Sequence, residues 1–142
     1  MLISATSCSH DEKRKVETAV EQSVDKFREQ LKQQQYHEIY LESDPELRSR
    51  LSETAFTAQL AAAHDYGTSA SKAIVIIDGS VWRGFKRAFS SRELVSHVEL
   101  VSSDTIMANE RFAWAVENGQ PKLVSYEFTP ICNKPCQVGF GR

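Results

Sequence analysis

Val16–Leu31 reads VETAVEQSVDKFREQL, and Lys32–Gly67 continues KQQQYHEIYLESDPELRSRLSETAFTAQLAAAHDYG. In the first segment Val16, Ala19 and Val20, Ser23 and Val24, Phe27 and Leu31 recur at about one apolar stripe per 3.6 residues, which predicts an amphipathic helix. Lys32-Gln33-Gln34-Gln35 has no apolar member and ends it. Tyr36, Ile39 and Tyr40 restart a short apolar face. Asp44-Pro45 is a helix start, with Asp as N-cap and Pro at the first helical position. Ser52 caps a further helix, with Glu53 near the positive end of its dipole. Phe56, Leu60, Ala63 and His64 line one face of it, and Gly67 stops it.

Past Gly67 the rhythm changes. Ala73–Ile77 is apolar and mostly β-branched and runs into the turn dipeptide Asp78-Gly79. Val81–Phe89 is a candidate returning strand, weakened by Gly84. Leu94–Val101 alternates as a half-buried strand. Arg111–Val116 puts Phe112, Trp114 and Val116 on one face. Asn118-Gly119 is the strongest hairpin signal, and Lys122–Phe128 returns antiparallel with Val124, Tyr126 and Phe128 together. Pro130 ends the sheet. The fold class is therefore α+β: N-terminal helices packed on a curved antiparallel sheet. Residues 1–15 read as a signal remnant and linker or the start of the helix, 16–130 as one domain, and 131–142 as a tail.

At 142 residues, with 41% hydrophobic and 25% charged side chains, the chain suits one globular domain. Such a chain buries about 68–70% of its unfolded surface, enough for a core without staples. The net charge is −2 and there is no basic stripe, so nucleic acid is not an expected partner. The most basic patch, Arg83, Lys86 and Arg87 among Trp82, Phe85 and Phe89, reads first as a solvated face. No apolar run is long enough to span a bilayer.

The order of a long helix, the step Gln35-Tyr36-His37-Glu38-Ile39-Tyr40, the capped Ser52-Glu53-Thr54-Ala55-Phe56, Gly67, and then consecutive strands resembles the nuclear transport factor 2-like (cystatin-like) superfamily. The likeness is to its small bacterial envelope proteins, and the hairpin from Arg111–Val116 to Leu123–Phe128 carries it too. It implies a cone-shaped domain with a pocket at the open end. Enzymes of that superfamily hold an Asp or Glu base, or an Asp–His pair, in the pocket; the resemblance assigns that role to no particular residue here. The basic aromatic stretch near Val81–Ser91 and the Cys132/Cys136 tail depart from it.

Ala5-Thr6-Ser7-Cys8 resembles a bacterial lipobox, in which small residues precede a cysteine that receives lipid. Cys8 is thus a candidate lipidation site, which implies the periplasmic side of a cell envelope; the other reading is a free cysteine in a tail, with a cytoplasmic location. Cys132 and Cys136 then form a pair. A disulfide between them closes a very small loop, contributing only about 2 kcal/mol. Free thiols and a metal or redox site are the other readings, although three residues separate the thiols where redox motifs usually have two.

His64 shares the apolar stripe of its helix and is either a pocket base or a histidine at the edge of the core. His97 and Glu99 lie two apart on a strand, so they share a face; such a pair tunes a proton acceptor or merely faces solvent. Tyr36, Tyr40, Trp82, Trp114 and Tyr126 are candidate ligand-binding residues, with ordinary core packing as the other reading. No zinc-like spacing, Gly-rich phosphate loop or Gly-x-Ser-x-Gly elbow occurs, so no cofactor is expected. The function expected is a non-enzymatic, envelope-tethered accessory domain, monomeric or homodimeric, that binds a small apolar ligand or another envelope protein. The alternative is a pocket acid–base enzyme acting on a small hydrophobic substrate. A filled cone favours the first; an enclosed cavity with an ionisable floor favours the second.

Overall fold

The computed structural model describes residues 5–67, 70–78 and 92–131. Four helices come first: α1 Ala5–Lys32, α2 Tyr36–Glu42, α3 Pro45–Arg50 and α4 Glu53–Gly67. Four strands follow: β1 Lys72–Asp78, β2 Arg92–Ser102, β3 Thr105–Glu117 and β4 Gln120–Pro130. The strands form one antiparallel sheet in the order β1-β2-β3-β4. The helices pack on one of its faces, so the α+β class holds. The candidate strand Val81–Phe89, with Trp82, and the Cys132/Cys136 pair lie outside the described residues.

Local chemistry sets the helix ends. At the end of α1, Gln34 takes φ 59°. The Gln35 amide donates to the Gln30 carbonyl at 2.8 Å and the Gln34 amide to that of Leu31 at 3.0 Å. This is the double bond of a left-handed helix stop, made here without glycine. At α3 the Asp44 side chain accepts from the Glu46 amide at 2.9 Å, with Pro45 behind it. At α4 the Ser52 hydroxyl accepts from the Ala55 amide at 3.1 Å. Both caps stand where the sequence put them. Helix α1 begins at Ala5, so Ser9–Lys15 continue it rather than linking to it.

Asn118 and Gly119, at φ 54° and 74°, make the two-residue turn between β3 and β4. The β2–β3 hairpin turns on Ser103 and Asp104 at φ 51° and 64°, so it uses the same geometry without glycine. Two bulges interrupt the ladder. Opposite Leu100 and Val101, β3 carries the extra Met107. Opposite Ala113 and Trp114, β4 carries the extra Val124. The second bulge corrects one expectation. Val124 does not share a face with Tyr126 and Phe128; Leu123 takes that place in the main core. Val124 packs with Val95 and Ala113 in a small cluster on the far face. A slip of one residue exchanges faces. The Asp44 amide donates to the Leu123 carbonyl at 2.8 Å, and Arg50 Nη2 donates to the Val124 carbonyl at 2.6 Å. The helical layer thereby satisfies the outward carbonyls of the strand where it bulges.

The α1 stripe is buried as its spacing demands: Val16, Val20, Val24, Phe27 and Leu31 all belong to the main core. They meet Phe112, Trp114 and Val116 of β3 there, as the alternation in both elements requires. The Phe27 ring stands edge-on to Phe112 at a centroid distance of 4.9 Å and beside Tyr126 at 4.8 Å. Phe27→Ala is expected to cost about 3–5 kcal/mol, read from the midpoint of urea unfolding at unchanged slope. Gln34→Gly is expected to stabilise by about 0.5–1 kcal/mol, because glycine adopts the left-handed conformation without a Cβ clash. A melting temperature unchanged or lowered by Gln34→Gly would contradict that account of the α1 terminus.

Candidate functional site

A charged group lies inside the core. Period-two alternation back from Phe112 puts Glu110 on the helix-facing side of β3, and its side chain is 0% exposed. One carboxylate oxygen accepts from Arg28 Nη1 at 2.6 Å, across the α1–β3 interface. The other accepts from the Tyr126 hydroxyl of β4. Arg28 reaches Glu110 because it follows Phe27 on α1, the residue that docks on the same strand. Burial pushes the Glu110 carboxyl above the usual carboxylate range, while the Arg28 charge and the hydrogen bonds from Tyr126 and Arg28 act to lower it. Burial, the Glu110 charge and the hydrogen bond to Glu110 raise the Tyr126 phenol well above its ordinary value. Tyr126 is therefore a fixed donor at neutral pH.

Above this network α1, α4 and the start of β1 enclose the mouth of a cavity of about 340 Å³. Arg28, Lys32, Asp25, Glu29, His64 and Lys72 line it, over a floor that includes Leu31 and Ala73. The Arg28 side chain is 20% exposed, and the residue both partners the buried carboxylate and belongs to the wall of this cavity. Two larger grooves lie elsewhere. One, of about 480 Å³, runs between α1 and the β3–β4 hairpin and is crossed by the Lys26–Glu42 ion pair at 3.3 Å. The other, of about 610 Å³, lies between α4 and β4.

The residues expected from sequence fall in different places. His64 does line the cavity; its side chain is 18% exposed, with Nδ1 3.5 Å from Asp65 Oδ1, a long contact. His97 and Glu99 share the far face of the sheet, as their spacing requires. Their cross-strand neighbours there are Ile76 and Arg111 for His97, and Ile74 and Asn109 for Glu99. Among the described residues no hydrogen bond joins the two. Among the described residues the aromatic set does not line one common cavity: Trp114 borders the groove by the β3–β4 hairpin and Tyr126 the groove between α4 and β4. Tyr40 donates its hydroxyl to the Leu51 carbonyl at 2.9 Å. Trp114 stacks on Phe112 at 5.5 Å and donates Nε1 to the buried Ser96 hydroxyl at 3.0 Å. Tyr36 is half-buried against the core, and its phenol is raised by burial and by Asp65. Cys8 stands in the first turns of α1; its side chain, like Trp82, Cys132 and Cys136, is outside the described set.

Arg28 and Glu110 are the residues that sequence reading passed over. Glu110 sits between Asn109 and Arg111 and reads as a polar surface run, although its alternation with Phe112 and Trp114 placed it on the core face. Among the described residues no group of three or more His, Cys, Asp or Glu side chains is placed to hold a metal ion, and no helix is long and apolar enough to cross a membrane. The chain matches no known family profile, no curated protein and no solved structure.

Tyr126→Phe is expected to cost about 1–3 kcal/mol, since it leaves a buried carboxylate oxygen without a donor. It also removes the last phenolate to appear in an absorbance titration at alkaline pH. The phenol is held above 10.0 in the fold, so the stability it contributes is complete below pH 10 and is lost as pH rises through its folded value. Glu110, raised above 4.5, behaves likewise at lower pH: its contribution is complete below 4.5 and declines as pH rises through the folded value. A wild-type titration in which all four tyrosines ionise together near pH 10 would show that the Tyr126 hydroxyl is not buried against Glu110.

Proposed function

We propose that this chain is a non-enzymatic binding domain for a small ligand, held at a bacterial cell envelope by a lipid on Cys8. One observation carries the binding half of this reading. The only fully buried carboxylate described has both oxygens occupied by Arg28 and Tyr126, and Phe27, Phe112 and Trp114 fill the space beside it. Among the described residues the interior thus offers no free acid or base, and open volume lies at the mouth between α1, α4 and β1. Pockets of about 300–1,000 Å³ are those that take small molecules, and this one is at the lower end. The small residues before Cys8 support the tether. Helices followed by an antiparallel meander support a likeness to the nuclear transport factor 2-like superfamily.

His64 in the cavity wall favours a second reading, acid–base chemistry on a small substrate. Protein amide NMR spectra recorded against a fragment library separate the two. In the first reading a bound fragment perturbs amides of Leu31, Ala70 and Ala73, is recovered unchanged, and His64→Ala alters the melting temperature little. Conversion of a fragment by the wild type, lost in His64→Ala at unchanged stability, would replace the first reading by the second. Intact mass of the protein taken from cell membranes tests the tether: a lipid-sized increment on Cys8, lost in Cys8→Ala, is expected, and an unmodified cysteine removes that part.

A further inference from the structure

We propose that the cavity at the α1–α4–β1 mouth is a receptor for a small aliphatic carboxylate carrying a hydroxyl or ammonium group beside the acid, bound on Arg28. This rests on the small-ligand reading above and names the ligand class. A guanidinium has five N–H donors in a rigid plane. Among the described residues, Arg28 uses one nitrogen, Nη1, on Glu110 at 2.6 Å. Glu110 is in turn fixed by Tyr126, so the guanidinium is anchored from behind. Its remaining donors have no protein partner among the described residues, and Arg28 is part of the cavity wall. An arginine held this way is pre-organised for a carboxylate, which accepts two parallel N–H bonds from it.

The rest of the wall sets the ligand. Lys32 and Lys72 place two more cations around the opening, on α1 and on β1. With Arg28 they set three cations against the two carboxylates of Asp25 and Glu29, a balance that favours an anion. Asp25 and Glu29, on the same wall, are acceptors with nothing to offer a second carboxylate, although Glu29 Oε2 already accepts from Gln33 Nε2 at 2.6 Å. They suit a hydroxyl or an ammonium on the carbon next to the acid. Leu31, Ala70 and Ala73 give an apolar patch wide enough for a short alkyl chain. The volume of about 340 Å³ fits a molecule of metabolite size rather than a peptide or a lipid chain.

A three-carbon series tests this on the full chain: lactate, alanine, propionate and the uncharged propionamide, each titrated while amide spectra are followed. Lactate or alanine is expected to bind with shifts at Leu31, Ala70 and Ala73, and propionate about tenfold more weakly. Propionamide is expected to show no saturable shift. Arg28→Lys, which keeps the charge but loses the planar fork, is expected to weaken binding about 10–100-fold, the effect of losing a charge-assisted hydrogen bond. Should that variant fold poorly, Lys72→Ala at the far wall supplies the same test with an expected loss of a few-fold. Binding of propionamide at these amides without binding of the acids would overturn the ligand class while leaving the small-ligand reading in place. Carboxylate binding indifferent to both Arg28→Lys and Lys72→Ala would overturn the site. Failure of every compound in the series and of the fragment library would remove the small-ligand reading itself.

Discussion

The Phe27 ring, edge-on to Phe112 and beside Tyr126, fixes one helix on one sheet, and the other positions in the fold follow from it. A helix is buried along a stripe, and a sheet across alternate residues of each strand. The two meet only where a large side chain on each fills the space between them. Phe27 does this near the C-terminal end of α1, where Val20 and Val24 have already brought the helix against the sheet. The next residue is Arg28, and a turn of about 100° carries its side chain off the apolar stripe to the flank. There it reaches Glu110, which lies two residues before Phe112 on the same face of β3. One ring contact thus brings a cation to a buried anion.

A carboxylate removed from water loses several kcal/mol of hydration, which only good geometry and full hydrogen bonding offset. Glu110 has both: a guanidinium nitrogen on one oxygen and a phenol on the other. The consequence is registration more than strength. A slide of α1 by one residue along the sheet would move Arg28 by 1.5 Å and leave the acid short of its partner. Apolar contacts at Val16, Val20 and Val24 tolerate such a slide far better, because dispersion has little direction.

What the sequence made legible follows the same division. Periodicity named the α1 stripe, and the Asp44-Pro45 and Ser52 caps and the Asn118-Gly119 turn stood at their positions, because each is local chemistry within a few residues. That His97 and Glu99 share a face followed from spacing alone; which face it is did not. The Val124 bulge was not legible. It depends on the carbonyls of Leu123 and Val124 being met by Asp44 and Arg50, residues more than 70 positions away. The Ser103-Asp104 turn carries no glycine to mark it. Of the candidate site, His64 on the cavity wall was readable from its helical face, whereas the aromatic set was only a list of side chains able to do two things. Tyr126 and Trp114 turned inward to Glu110 and Ser96, because a buried hydroxyl or indole N–H must find an acceptor and the core supplied one.

The buried pair has a further meaning for the mouth above it. Replacing a buried ion pair by apolar residues of similar volume often leaves stability unchanged or higher, so stability alone gives no reason for a charge at position 110. A fixed orientation of Arg28 does. Arginine left on a helix surface samples many rotamers, and a ligand binding it must order them at a cost of about 0.5–1.5 kcal/mol. Glu110 removes that freedom in advance, and Tyr126 in turn removes the freedom of Glu110. The chain of contacts runs from β4 through β3 to α1 and ends at Arg28, a residue of the cavity wall. The rigidity of the core is thereby carried to the wall of a surface cavity.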